Sequence, residues 1–267
     1  MSLESTVAKW IELGVRPYEE VMKMQAVLVK LRSSDSIPDT VLSVQHPLSI
    51  NFGASHKDNQ FSESLLRRVK EDYGNCKHDS VLRYLTEQRI SFHQSDRGGG
   101  ATAFSPGQYV FYPIVKHAAI TGKPPLDIAA YKNLIYSALF DSLKNLGIEG
   151  VNVSNQQSFT DRNERKDAWI ERAGVTLKMG SKGIKISGDV AYHGFALYVE
   201  KNCIIPNQWV NQCGYRPEEV KLWTVEHELG RKVSADEVYG AVKNAIGKNF
   251  GYSHFNIIAA HTEEVFA

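Results

Sequence analysis

Apolar residues along this chain recur with two periods, and the switches between them lay out a series of strands and helices. Over 18–32, YEEVMKMQAVLVKLR sets Val21, Met24, Leu28 and Leu31 at helical spacing, with two glutamates in the first turn and Pro17 just ahead. TVLSVQHP (40–47) is a short β-branched run stopped by proline, hence a strand. From 53 to 80 the pattern is polar and weak, which predicts loop with one short helix over 62–72. QYVFYPIV (108–115) is apolar nearly throughout, as a buried strand would be. The clearest helix is PLDIAAYKNLIYSALFDSLKNLG (125–147). There Ile128, Tyr131, Ile135, Leu139 and Leu143 line one face and Gly147 is a natural stop. GVNVSN and DAWIERAGVTLKM read as strands separated by the charged run TDRNERKD (160–167), a solvated hairpin loop. YHGFALYVE (192–200) is a further strand. SADEVYGAVKNAIGKNFG is a helix, opened by Ser234 and Glu237 at capping-box spacing.

The 267 residues show no internal repeat, low-complexity tract or Pro/Gly linker, so one domain over 1–267 is expected, of α/β or α+β type. Lys+Arg 31 against Asp+Glu 30 argues against a general nucleic-acid binder. No stretch reaches the roughly 18–20 apolar residues of a membrane span. Cys76, Cys203 and Cys213 cannot all pair and match no CxxC site, so free thiols in a reducing compartment are expected. The nine histidines form no ligand cluster, and no metal is expected. MSLESTVAKW carries no apolar core of a secretory signal and is not Arg-rich like a transit peptide, although a processed organellar form would look the same.

Three segments carry candidate chemistry. In DRGGGATAFSPGQ (96–108), glycines let a ligand approach bare N–H groups while Arg97 supplies a fixed planar donor. The bland alternative is a turn or bulge before a strand. The segment has no GK[ST] of a phosphate loop, and it precedes a strand where a dinucleotide fingerprint would precede a helix. In LKMGSKGIKISGDVAYHGFAL (177–197), strict alternation puts Lys178 and Lys182 on one face and Lys185 on the other. Its bland reading is an edge strand with exposed lysines. In NQCGY (211–215), Cys213 precedes a glycine in a polar turn; a lone cysteine is more often a buried small hydrophobe.

Taken together, PYEEVMKMQ, DRGGxxTxxxPGQ with a following YPI, the K-x-x-S-x-G-I-K-I-S…HGFAL stretch and the Cys-Gly turn form an ordered series. The series resembles the lipoyl(octanoyl) transferases of the biotin/lipoate protein ligase superfamily, from about Leu13 to the C-terminal helix. The resemblance implies a mixed central sheet flanked by helices. It also implies transfer of an octanoyl group from acyl carrier protein to a lysine of lipoyl domains through a cysteine thioester, with no cofactor and no metal. The acceptors it implies are lipoyl domains of 2-oxoacid dehydrogenase complexes and the glycine cleavage H protein. The location it implies is the cytoplasm, or the mitochondrial matrix of a eukaryote.

Residue by residue, the family's N-x-C-G cysteine falls on Cys213. Its lysine, five residues before the glycine of S-x-G, falls on Lys178 and not on Lys185. Its acyl-contacting segments fall on Arg97, Gly98, Gly99, Gly100, Ala101, Thr102, Ala103 and Phe104, on Ser181, Lys182 and Gly183, and on His193, Gly194 and Phe195. The chemistry suits these residue types. A thiol of pKa about 8.5 needs a neighbouring cation to favour thiolate. A lysine can then shuttle protons between thiol and amine, and bare backbone N–H groups can hold an oxyanion. Phe104 and Phe195 are candidates for the wall of an acyl slot, against the alternative of ordinary core aromatics. One departure stands out: the family usually reads T-Y-H-G-P-G-Q where this chain has T-A-F-S-P-G-Q, so Ala103 replaces an aromatic and Phe104 a histidine. Two other readings remain open. One is an ATP-dependent lipoate or biotin ligase, and the other is a catalytically silent homologue that binds lipoyl domains.

Overall fold

The computed structural model describes residues 7–54, 61–116, 128–152, 167–211 and 220–259. Among these, nine strands form one mixed sheet. β1 (Val7–Val15) runs parallel to β2 (Thr40–Gln45) on one side and to β12 (His254–Ala259) on the other. From β2 the sheet continues antiparallel through β6 (Gln108–Lys116), β10 (Val190–Tyr198), β9 (Val175–Ser187), β8 (Ala168–Arg172) and β7 (Val151–Asn152). β11 (Lys221–Leu222) adds in parallel to β9. A second sheet has the order β4 (Ser91–Gln94), β3 (Ser49–Phe52), β5 (Ala101–Phe104). No helix among the described residues is long and apolar enough to cross a membrane.

Helices cover both faces of the large sheet, which explains why β6 is buried along almost its whole length. On one face α4 (Ile128–Asn145) and α6 (Ala235–Phe250) bury Tyr131, Ile135, Leu139, Val242 and Ile246 against Trp10, Phe111 and Phe195. On the other, α1 (Tyr18–Ser33) seats Val21, Met24 and Leu28 on Leu42, Tyr112 and Ile114. The capping box expected at Ser234 and Glu237 is formed, and Gly147 ends the α4 segment with a φ of 89°.

The polar stretch from 53 holds α2 (Glu63–Tyr73), between the Ser62 cap and Gly74, and then α3 (His78–Glu87), which the sequence pattern did not resolve. Each buries only an i, i+4 pair, Leu65/Val69 and Val81/Leu85, against Ile50, Ala101 and Ala103 of the small sheet. Two apolar positions per helix are too few to stand out in a charged run. DAWIERAGVTLKM is two strands, β8 and β9, joined at Ala173–Gly174, both with positive φ (50° and 73°) as a tight hairpin turn requires. Residues 125–127, 153–155 and 160–166 of the expected elements lie outside the described residues. The short α5 (Val225–Leu229) follows β11.

Two glycines separate space from propensity. A Cβ on Gly194 would meet the Phe111 carbonyl oxygen at 2.1 Å and Pro113 Cδ at 2.7 Å. Relief requires moving β6 backbone, so Gly194→Ala should destabilise the protein by at least ~3 kcal/mol. Gly240, inside α6, has nothing within 4 Å of the same position. Gly240→Ala should therefore stabilise by roughly 0.5–1 kcal/mol. Urea denaturation of both variants checks the pair.

Candidate active site

The chemistry-bearing face is set by a bulge. β9 pairs Lys178 with Trp169 but Gly180 with Ala168, so Met179 is an extra residue that enters the core. Strict alternation would have placed Lys178 with Lys182. The bulge instead turns Lys178 to the α1 side, with Ser181, Gly183 and Lys185, and corrects that expectation. Lys182 extends its ammonium over the Tyr136 ring of α4, at 4.3 Å. Nor is β9 an edge strand, since it lies between β10 and β8.

Lys178 is 2% exposed, and its Nζ lies 2.7 Å from Asp167 Oδ2 and 5.7 Å from the Trp169 ring centroid. The other oxygen, Asp167 Oδ1, accepts the Lys182 N–H at 3.3 Å. The carboxylate therefore holds the ammonium alongside positions 181–182. Asp167 itself closes the charged run read as a solvated loop. It is buried instead, because a buried cation needs a counter-charge.

A second irregularity lies on β10. His193 has φ 58°, rare for a side chain with Cβ, while its neighbours Ala191 and Phe195 face the α4/α6 core. The rotation carries the imidazole to the opposite face. There it stacks on Tyr192 (4.7 Å) and reaches Asp96 with Nε2 (3.1 Å). The displaced His193 N–H donates to Gln25 Oε1 of α1 at 3.1 Å. Gly194 follows because the twisted strand presses it onto β6.

Asp96 also binds Lys185 Nζ (2.5 Å) and the Tyr192 hydroxyl (3.1 Å). Burial pushes its pKa up, but the hydrogen bonds from Lys185 and His193 outweigh that and hold it at about 2. His193 moves the other way: burial drives its pKa down to about 4 against the pull of Asp96. It is thus neutral at pH 7. Because a carboxylate only accepts, Nε2 carries the proton and Nδ1 presents a bare lone pair, with no partner among the described residues.

Arg97 holds the glycine segment in shape. Its terminal nitrogens donate to the backbone carbonyls of Asn51 (3.2 Å), Gly98 (3.2 Å) and Gly100 (2.8 Å). Gly98 N–H donates to Ile184 O (3.2 Å), which brings the loop onto β9. A Cβ on Gly183 would come within 3.3 Å of Arg97 Cδ, so glycine on both sides permits that approach. Pro106–Gly107 turns the chain under β10: Gly107 O accepts from Val199 and Glu200, and Gln108 Nε2 donates to Ala103 O.

Between these parts lies a pocket, mainly apolar in lining and about 420 Å³ when the open solvent at its mouth is included. Of the residues expected to touch an acyl chain, Arg97, Thr102, Phe104, Ser181, Lys182, Gly183, His193, Gly194 and Phe195 border it. Gly98, Gly99, Gly100, Ala101 and Ala103 do not; the two alanines pack into the small-sheet core. The Phe195 ring lies on Phe111 in the main core (5.4 Å). Phe104 stacks on Tyr18 (5.7 Å) and sits edge-on to His46 (5.1 Å). His46 donates from Nδ1 to Arg16 O and accepts the Tyr112 hydroxyl at Nε2, both at 2.9 Å. Burial lowers its pKa to about 4. Ser181 Oγ and the Tyr198 hydroxyl are 2.6 Å apart.

Cys213 lies outside the described residues. Its flanks do not: Asn211 donates to Phe61 O (3.1 Å), and the chain returns at β11, where Leu222 pairs with Lys178 and Trp223 N–H donates to Lys178 O (2.8 Å). Cys203 is buried and Cys76 exposed. Asp167, Asp96, Gln25 and His46 are the members of this constellation that sequence patterning did not single out.

Residues 17–247 match the lipoyl protein ligase A/B catalytic domain. The chain belongs to that family. An octanoyltransferase of Acidothermus cellulolyticus is 31% identical over 229 residues, 84% of each chain. One from Thermobifida fusca is 28% identical over 265 residues, covering 97% of this chain and 94% of that one. The family fold is seen again in lipoate-protein ligase A bound with ATP, with a TM-score of 0.67 and 16% identity over 97% of this chain and 92% of that one. The bipartite lipoate protein ligase of Thermoplasma acidophilum, described together with its E2 lipoyl domain, gives 0.66 at 15% identity, covering 98% and 91%.

The two depressed imidazoles make stability pH-dependent. In the unfolded chain each binds a proton near pH 6.5, whereas the folded protein resists until about pH 4. Stability is therefore full above about pH 6.5 and falls as pH drops toward 4, by on the order of 3 kcal/mol per imidazole. Denaturation midpoints at pH 7 and pH 4.5 should show the loss, and His46→Gln should flatten the slope.

Proposed function

We propose that this chain is an acyltransferase that moves an octanoyl group from octanoyl-acyl carrier protein to a lysine of lipoyl domains, through a thioester on Cys213. The observation that carries the reading is the buried Lys178 ammonium, fixed by Asp167 against the backbone of Lys182, which with Ser181 borders a largely apolar pocket. The octanoyltransferase names of the relatives support it. So does the pairing of Leu222, nine residues beyond Cys213, with Lys178 itself.

In the first half-reaction the Cys213 thiolate attacks the thioester carbonyl. The tetrahedral oxyanion collapses, the carrier's thiolate leaves, and Lys178 supplies its proton. In the second, the acceptor lysine amine attacks the acyl-enzyme, gives its surplus proton back to Lys178, and Cys213 leaves as thiolate. Asp167 has two tasks: it compensates the buried charge and holds Nζ beside the Lys182 N–H. Burial of about six methylenes supplies roughly 5 kcal/mol of binding at ~0.8 kcal/mol each. The acceptors on this reading are lipoyl domains, and the cytoplasm or a mitochondrial matrix is the matching compartment.

Mass spectrometry after incubation with octanoyl-acyl carrier protein, without ATP, tests the reading. An octanoyl adduct on Cys213 is expected, absent in Cys213→Ser; transfer that survives Cys213→Ala, or that needs ATP, overturns it. Lys178→Ala should slow adduct formation by orders of magnitude and Lys185→Ala far less, because Lys185 pairs with Asp96. Asp167→Asn should lower kcat by about 10²-fold with little change in KM, the split expected of a residue that acts through Lys178.

A further inference from the structure

On the octanoyl-transfer reading the reacting end of the pocket lies at positions 181–182, where Asp167 bridges Lys178 Nζ and the Lys182 N–H. The other end is polar. His193 pairs with Ile184 across the β9–β10 ladder, two to three residues further along, or ~7–10 Å at about 3.3 Å per residue. An extended eight-carbon chain, with seven bonds of about 1.5 Å in zigzag, spans ~9 Å. The two lengths agree.

We infer that His193, held by Asp96 and Gln25 beside Arg97, is the closed end of the acyl pocket and sets the length of chain it accepts. This rests on the octanoyl-transfer reading of the site. Four observations support it. The imidazole is almost fully buried and borders the pocket. It is out of place for its strand: only the left-handed backbone at 193 brings it to this face, and Gln25 satisfies the N–H that the rotation releases. Its orientation is locked by Asp96, itself held by Lys185 and Tyr192. Finally, His193 Nδ1 and Arg97 Nε are both buried without a hydrogen-bond partner among the described residues. A longer chain would have to press methylenes against these two atoms or break the Asp96 contact, and both are unfavourable in a buried site. Tyr112, edge-on to the His193 ring at 6.2 Å, borders the same pocket. Asp96 is on this account a positioning residue that acts through His193.

The test is equilibrium binding of hexanoate, octanoate, decanoate and dodecanoate to the full chain by calorimetry, which does not depend on any thioester. Wild type should bind octanoate best and lose about tenfold or more for the first methylenes beyond eight carbons. His193→Asn keeps a residue tolerant of left-handed backbone and removes the ring. It should raise the decanoate-to-octanoate affinity ratio at least ~tenfold, and Asp96→Asn should raise it in the same direction by less. An unchanged ratio in His193→Asn, or a wild type indifferent to length or unable to bind any of the four, overturns the inference. Acyl adducts on Cys213 measured in the same variants report separately on the transfer reading: their absence in wild type would sink that reading, whereas adducts with an unshifted length profile would sink only this one.

Discussion

An ammonium buried to 2% exposure is tolerable only beside a counter-charge, and the Lys178–Asp167 contact at 2.7 Å supplies it. The rest of the site is arranged about that pair. The Met179 bulge exists to deliver Lys178 to the α1 face; without it the amine would enter the apolar core under α4. β11 is laid along the same stretch of β9, so the chain at Leu222 is tied to the strand that carries the cation. Asp167 also takes the Lys182 N–H, which makes the amine's position a property of the sheet backbone and not of one flexible side chain.

Both departures from regular strand geometry, at Met179 and at His193, act on the same face. Each takes a residue that alternation would send to the α4/α6 core and turns it to the α1 side. One is cationic and satisfied by a buried carboxylate. The other is neutral and oriented by a half-exposed one. Between them lie Ser181, Gly183, Gly194 and Ala196, all small, so the floor is low where the ends are polar. A largely apolar slot bordered by His193, with the Lys178–Asp167 pair held against its Lys182 edge, follows from two local irregularities in otherwise ordinary β-structure.

Much of this was legible in the sequence. The helix over 18–33, the buried strand at 108–116 and the capped C-terminal helix follow from period and end signals that tertiary contacts reinforce. The co-location of the Arg97, Ser181 and His193 segments could be stated only through the ordered motifs, since pairing between β9 and β10 and the Gly98–Ile184 contact are non-local. What patterning could not give was the side each residue faces. A bulge or a single left-handed residue leaves no mark on composition, yet it inverts the face of Lys178 relative to Lys182 and of His193 relative to Phe195. Asp167 was obscured for a similar reason, as the last member of a charged run whose other members gave it a solvent-facing context. Phe104, standing where the family usually has histidine, joins a ring cluster with Tyr18 and His46, so aromatic packing occupies a position that elsewhere carries a titratable donor.

The His193–Gly194 step has an evolutionary corollary. A left-handed residue at 193 swings the next Cα onto the Phe111 carbonyl, where no side chain fits. The two positions therefore travel as one heritable unit: drift at 194 is forbidden while 193 keeps its posture, and release of that posture would strand Gln25 and Asp96 together. Libraries meant to retune this scaffold would do best to freeze 194 and randomise 193 jointly with 96, treating the dipeptide as a hinge pin that can be resized but not removed.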